Sequence, residues 1–281
     1  MKENRPSATA QRVAMRRAAH QLLDDPIVFP DSLALRIAGL EGKENEAAQQ
    51  IQTIFDSRLR AFLAARSRCA EDELQLAVNR GVRQYVILGA GLDTFAYRNP
   101  YPENLLHVYE VDHPNTQAWK QTRLADASIK IPPTLTFTPI DFENETLAQG
   151  LRRAGFAAGE RAFFSWLGVT PYLSESAVNS TLQFIASLPA GSGIVFDYAI
   201  SPSLLTPVQR LAFDNLAQRV ALAGEPFQSF FDPTLLKHSL REMGFGEVED
   251  LGPDELNARY FQGRTDGLKV GSLGHVMSAR V

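Results

Sequence analysis

The chain has 281 residues, 44% of them hydrophobic and 21% charged, with a formal net charge of −4. That composition suits one large soluble domain, or one domain with a helical extension. The slight acidic excess excludes the broad basic face that would hold a nucleic acid or an anionic membrane. No run approaches the roughly 18 apolar residues of a spanning helix.

A lone cysteine, Cys69, rules out an intramolecular disulfide and fits a reducing cytoplasm. The polar start, with no apolar stretch behind its basic residues, is not that of a secretory signal.

Residues 1–82 read as helical. A helix is expected from Thr9 to the Asp24-Asp25-Pro26 stretch, because the residue before a proline leaves the α region. Ile51, Ile54, Phe55, Leu59, Phe62 and Leu63 fall at helical spacing and predict an amphipathic helix over 46–66. A shorter one is expected over 71–80, stopping at Gly81.

From there strands alternate with helices. Strands are expected at 84–88, 105–111, 134–138, 162–167 and 193–198, with helices after Pro114, over 147–153 and over 175–188. Thr206-Pro207 and Asp232-Pro233 each pair an N-cap with proline at the first helical position. Residues 246–251 and 275–281 could form a closing hairpin, and the Phe-, Gly- and Pro-rich residues 221–232 a loop over the site. The pattern predicts an α/β fold, a parallel sheet with helices on both faces, over 83–281. Ligands then belong at the carboxyl ends of the strands.

The sharpest motif is Val86-Ile87-Leu88-Gly89-Ala90-Gly91-Leu92-Asp93-Thr94, a strand running into G-x-G. Without a Cβ at Gly89 and Gly91, a ligand can approach the backbone closely. The next strand ends in Glu110-Val111-Asp112, about 20 residues on, where an acid that binds ribose hydroxyls belongs. A tight turn and a helix-capping Asp112 would leave the same trace. A dinucleotide fingerprint carries a third glycine beneath its pyrophosphate; here Thr94 stands there, and Asp93 adds a negative charge that a cationic sulfonium tolerates better than a diphosphate does. These features favour S-adenosylmethionine over NAD. Asp141, after the third strand, could meet the adenine amine, with Phe142 flanking the ring; a helix N-cap is the other reading of Asp141.

LGAGLDT, YEVDHP followed by Lys120, PIDF, FFSWLGVTPYLSE and GSGIVFDY together resemble the leucine carboxyl methyltransferase family. TAQRVAMRRA, AARSRCAEDEL and FQGRTDGL extend the resemblance over nearly the whole chain. It implies a Rossmann-like class I methyltransferase sheet with a helical N-terminal extension, residues 1–82, serving as lid and acceptor region. It implies S-adenosylmethionine as cofactor, with Gly89, Asp112, Asp141 and Phe142 among its contacts; Ala90, Gly91, Asp93 and Glu110 flank them. Arg66 falls where the family places an arginine on the methionine carboxylate, which a guanidinium fork suits; Arg68 is the alternative. Arg17 lies near a cationic N-terminal position and is assigned to the acceptor. Many members carry a glutamate after the fourth strand, and here Trp166-Leu167-Gly168-Val169 has none.

The predicted reaction is O-methylation of a small-molecule acceptor, at a carboxylate or a hydroxyl. Protein C-terminal carboxyl methylation, a Rossmann oxidoreductase using NAD, and a non-catalytic cofactor-binding protein remain the alternatives. Tyr172 and Tyr198, at strand ends, are candidates to orient the acceptor, and His238 is the candidate base. No His/Cys cluster has metal-ligand spacing. No nucleic-acid or membrane partner is expected, and the oligomeric state is left open.

Overall fold

In the computed structural model the described residues are 8–44, 56–142, 144–222, 224 and 226–281. They build one seven-stranded sheet in the order β3-β2-β1-β4-β5-β7-β6. The strands are β1 (Gln84–Leu88), β2 (His107–Asp112), β3 (Leu135–Pro139), β4 (Ala162–Trp166), β5 (Gly193–Ala199), β6 (Glu247–Leu251) and β7 (Gly274–Arg280). β1 to β5 run parallel, and β7 is antiparallel to both β5 and β6. The chain winds outward from β1 to β3 and returns to place β4 on the other side of β1. The strand order therefore reverses between β1 and β4, and that crevice is where such sheets take ligands.

Every residue of β1 and of β4 is buried, as expected of central parallel strands covered on both faces. Alternate side chains feed two cores. Tyr85, Ile87, Phe163, Val195 and Val276 pack beneath helix α3 (Ser57–Asn79) and α9 (Pro253–Tyr260). Val86, Leu88, Phe164, Trp166 and Phe196 pack against α5 (Leu147–Arg153), α6 (Glu175–Ala186) and α8 (Pro233–Met243). A third cluster joins Ala14 of α1 (Ala8–Leu23), Ile37 of α2 (Ala34–Ala38), Leu92, and Leu124 of α4 (Pro114–Asp126).

Local chemistry sets the helix starts. His113 Nδ1 accepts the Asn115 N–H ahead of Pro114, and Thr146 and Gln149 form a reciprocal capping box. Asp232 accepts from Thr234 and Leu235 ahead of Pro233. Thr206 and Gln209 exchange bonds in the same manner at the start of α7 (Pro207–Leu222).

Two expectations need correction. The two helices read over 46–66 and 71–80 are, within the described residues, one continuous helix: Ser67 to Ala70 contain neither glycine nor proline to interrupt it. Ile51, Ile54 and Phe55 lie outside the described residues. The chain between β1 and β2 holds a single 3-10 turn, Phe95–Tyr97, in place of a helix. The last two strands join the sheet antiparallel, as the closing hairpin foresaw.

Candidate active site

The loop after β1 is pinned to β2, since the Gly89 and Ala90 N–H groups both donate to Val111 O, at 2.8 and 3.0 Å. Gly89 and Gly91 take φ of +65° and +46°, a region other residues rarely adopt. A Cβ at Gly89 would lie 2.4 Å from Val169 Cγ2, and one at Gly91 would lie 3.1 Å from Ala10 Cβ. Helix α1 thus crosses directly over the loop.

Asp112, at the end of β2, closes the ring. Its Oδ2 accepts the Gly91 N–H at 2.6 Å, and its Oδ1 accepts the His113 N–H at 2.7 Å. Burial pushes the carboxyl up from the ordinary aspartate range, and the two N–H donors oppose that shift. Asp93 turns back on its own loop, Oδ1 accepting the Phe95 N–H at 2.7 Å, while Oδ2 lies 3.9 Å from Arg17 Nη1.

Glu110 stands two residues before Asp112 in a different setting. It is fully buried, with Oε2 2.7 Å from Lys120 Nζ and accepting the Tyr97 hydroxyl at 3.2 Å. Burial drives its carboxyl up to about 7 while Lys120 pulls it down. Its side chain is spent inside the sheet–α4 layer.

After β3, Asp141 accepts from Asn144 Nδ2 at 2.7 Å. Its carbonyl accepts the Asn144 and Glu145 N–H groups, so the residue also opens a turn. The neighbouring Phe142 ring is 57% exposed, an apolar face left open beside the carboxylate.

Arg66 projects from α3 toward the far side of the switch point. Its Nη1 donates to Asp197 Oδ2 at 2.7 Å, Asp197 Oδ1 accepts the Gly168 N–H, and the guanidinium packs against Gly168. Arg66 is buried, and its Nε has no hydrogen-bond partner among the described residues. Arg68, two residues on and so turned away around the helix, is exposed and donates to Asp72 at 2.8 Å. Arg17 is buried against the loop itself, Nη2 donating to Leu92 O at 2.6 Å and Nε lying 2.9 Å from Asp31 Oδ2.

Tyr172 ends a 3-10 turn after β4, its ring centroid 5.5 Å from that of Phe227. The segment 226–231 is fastened over that turn: Gln228 donates its N–H to Pro171 O and its side-chain amide to Tyr172 O. Tyr198 is buried at the end of β5, its hydroxyl donating to Asp250 Oδ1 at 2.8 Å, and burial raises the phenol far above its ordinary range. His238 lies on the exposed face of α8, 3.2 Å from Glu242.

The structure thus brings Gly89, Ala90, Gly91, Asp93 and Asp112 together at one loop, with Asp141 and Phe142 at the next strand end and Arg66 across the switch point. Glu110, Tyr198 and His238 are engaged elsewhere. Sequence reading passed over Asp31 and Asp197. Asp197 carried a usable signal, an acid inside the otherwise apolar strand Gly193–Ala199, where a buried charge demands a partner.

This donor set suits S-adenosylmethionine. The loop and strand ends supply the carboxylates of Asp93, Asp112 and Asp141, and among the described residues the buried Arg66 Nε has no hydrogen-bond partner, a donor free for a carboxylate.

The sequence pattern of leucine carboxyl methyltransferases matches residues 10–186, from α1 through the last turn of α6. The chain is 32% identical over 302 aligned positions to YktD of Bacillus subtilis, covering 99% of both chains. The chain belongs to the leucine carboxyl methyltransferase family. YktD is provisionally named an S-adenosyl-L-methionine-dependent methyltransferase, as is a Mycobacterium avium relative that is 35% identical over 68% of this chain and 65% of its own length. The fold also matches a solved Thermobifida fusca structure, provisionally a methyltransferase, with a TM-score of 0.57 at 16% identity; the match spans 99% of this chain and 96% of that one. The family pattern takes in every loop from Gly89 to Tyr172.

Proposed function

We propose that the chain is an O-methyltransferase that moves a methyl group from S-adenosylmethionine to the carboxylate of a small molecule. Membership of the family makes it a methyltransferase dependent on S-adenosylmethionine; the oxygen acceptor and its small size are our reading. When bound, S-adenosylmethionine would supply an electrophilic sulfonium methyl; the acceptor oxygen would attack that methyl carbon in line, the O–CH3 bond forming as the CH3–S bond breaks with its electron pair left on sulfur, so that S-adenosylhomocysteine departs.

The protein's part is to bind and orient. Gly89 and Gly91 allow the positive-φ turn that packs against Val169 and Ala10 and shapes the loop; in this reading Asp112 takes ribose hydroxyls, Asp141 and Phe142 take the adenine, and Arg66 takes the methionine carboxylate. Holding both reactants in line is itself worth several kcal/mol of barrier in such displacements.

The observation that carries the carboxylate reading is how the five histidines are used. His20 is held by Asp24, His107 by Thr136, His113 caps α4, His238 faces Glu242 and His275 lies against Asp250. A carboxylate is ionised at neutral pH and needs no base, whereas a phenol, with a pKa of about 10, benefits from one. In this reading Tyr172, beside Phe227, orients the acceptor, and the N-terminal helices serve as lid. The small-molecule reading rests on α1 lying across the loop, Ala10 against Gly91. Among the described residues no helix is long and apolar enough to cross a membrane, and we assign the activity to the cytoplasm.

The test is to incubate the protein with methyl-labelled S-adenosylmethionine and matched panels of aliphatic and aromatic acids and alcohols. A methyl ester that releases labelled methanol in base supports the proposal. A base-stable ether or N-methyl product would overturn the carboxylate assignment.

A further inference from the structure

We propose that Asp31 and Thr94 are positioning residues that make the cofactor loop depend on the docked N-terminal helix, so that cofactor binding and α1 docking are one coupled event. This rests on the reading of the Gly89–Gly91 loop as the S-adenosylmethionine site.

The loop does not hold its own shape beyond Asp93. Thr94 is completely buried, and its hydroxyl donates to Asp31 Oδ2 at 2.7 Å. That same oxygen lies 2.9 Å from Arg17 Nε of α1, and Arg17 Nη2 reaches on to the carbonyl of Leu92 at 2.6 Å. Oδ1 of Asp31 accepts the Leu33 N–H at 3.0 Å and lies 3.4 Å from Arg98 Nε. Arg98 in turn forks onto Glu71 of α3, donates to Thr94 Oγ1 at 3.1 Å and covers the Phe29 ring.

One buried carboxylate therefore ties α1, the segment before α2, and both ends of residues 92–98 together. Ala10 against Gly91 adds a direct contact two turns earlier in α1. Only a 3-10 turn follows the loop, so the N-terminal helices take over the support that a helix after β1 would give. A buried network in which every member is paired is rigid, and one missing member loosens the whole. The loop that α1 steadies is the loop that Asp112 grips from the other side. A ligand that needs this geometry must favour the docked state of α1, and by linkage the docked state must favour the ligand.

The experiment compares wild type with Thr94→Val, which keeps volume and loses the hydroxyl, and with Thr94→Ser, which restores it. Calorimetry with S-adenosylhomocysteine is paired with hydrogen exchange of the α1 amides. Expected are a Kd at least tenfold higher for Thr94→Val, recovery to within threefold in Thr94→Ser, and added protection of α1 on binding in wild type and Thr94→Ser but not in Thr94→Val. Arg17→Lys, which keeps the charge but cannot bridge Asp31 and Leu92 at once, should behave as Thr94→Val does. Equal affinity in wild type and Thr94→Val, whatever their melting temperatures, would overturn the coupling. So would wild-type binding with no change in α1 exchange. Failure of the wild type to bind at all would overturn the cofactor-site reading and the coupling with it.

Discussion

Arg66 and Asp197 meet at 2.7 Å across the switch point, although 131 residues separate them in the chain. The pair joins α3 to the end of β5, and Asp197 extends the link to the backbone of Gly168 after β4. The arginine assigned to the methionine carboxylate is thus anchored to β5 and to the turn after β4 by one carboxylate.

Arg66→Ala should therefore act twice. It strands the buried Asp197 charge, a loss of about 3–5 kcal/mol for pairs of this kind, and it should raise the Kd for S-adenosylmethionine at least tenfold. Denaturant unfolding and calorimetric titration read the two effects separately. Unchanged affinity in protein that remains folded would remove Arg66 from the site.

Gly89→Ala should abolish cofactor binding. The new methyl would lie 2.4 Å from Val169 Cγ2 on a backbone of φ +65°, and both the clash and the strain act on the binding loop. Adding Val169→Ala relieves the first and leaves the second, so the double variant should recover affinity only in part. Full recovery would show that the backbone conformation carries no part of the effect.

The buried Glu110–Lys120 pair predicts a pH signature in stability. The Glu110 carboxyl is raised to about 7 by burial, against about 4.3 in an unfolded chain. Between those values the folded protein holds a proton that the unfolded chain has lost, so this contribution to stability falls as the pH rises. The fall should amount to something on the order of 3 kcal/mol between about pH 4.5 and 7. Chemical unfolding at several pH values should show that slope in wild type and lose it in Glu110→Gln. Parallel profiles for the two proteins would count against the raised carboxyl.

The two tyrosines should separate by function. Tyr172→Ala should raise the acceptor KM while the cofactor Kd stays put, because its ring faces Phe227 on the acceptor side. Tyr198→Phe should instead cost about 1–3 kcal/mol of stability, since it leaves the Asp250 carboxylate short of a buried donor. Steady-state kinetics beside melting curves would expose a reversal of these roles.

His238→Ala should leave the turnover rate within about twofold of wild type, as a carboxylate acceptor requires no base. A fall of about a hundredfold, the scale of a lost general base, would point to a hydroxyl acceptor.

Much of the architecture was written in local signals. The strands Gln84–Leu88 and Ala162–Trp166 are short apolar runs, and the proline-led helix starts declare themselves by their caps. The loop Gly89–Gly91 and Asp112 were legible because G-x-G and the acid sit at a spacing set by one strand–loop–strand unit. What escaped was long-range. Nothing near Asp31 in sequence announces Thr94, 63 residues away, and Glu110 and Asp112 look alike in a string although one side chain is sealed against Lys120 and the other reaches the loop.

The central claim is best tested by parallel calorimetric titrations of the purified protein with S-adenosylmethionine, S-adenosylhomocysteine and NAD. Micromolar binding of the first two, weakened at least tenfold in Asp112→Ala, with no heat from NAD, is the predicted result. Binding of NAD alone, or of S-adenosylmethionine with equal affinity in Asp112→Ala, would contradict the account.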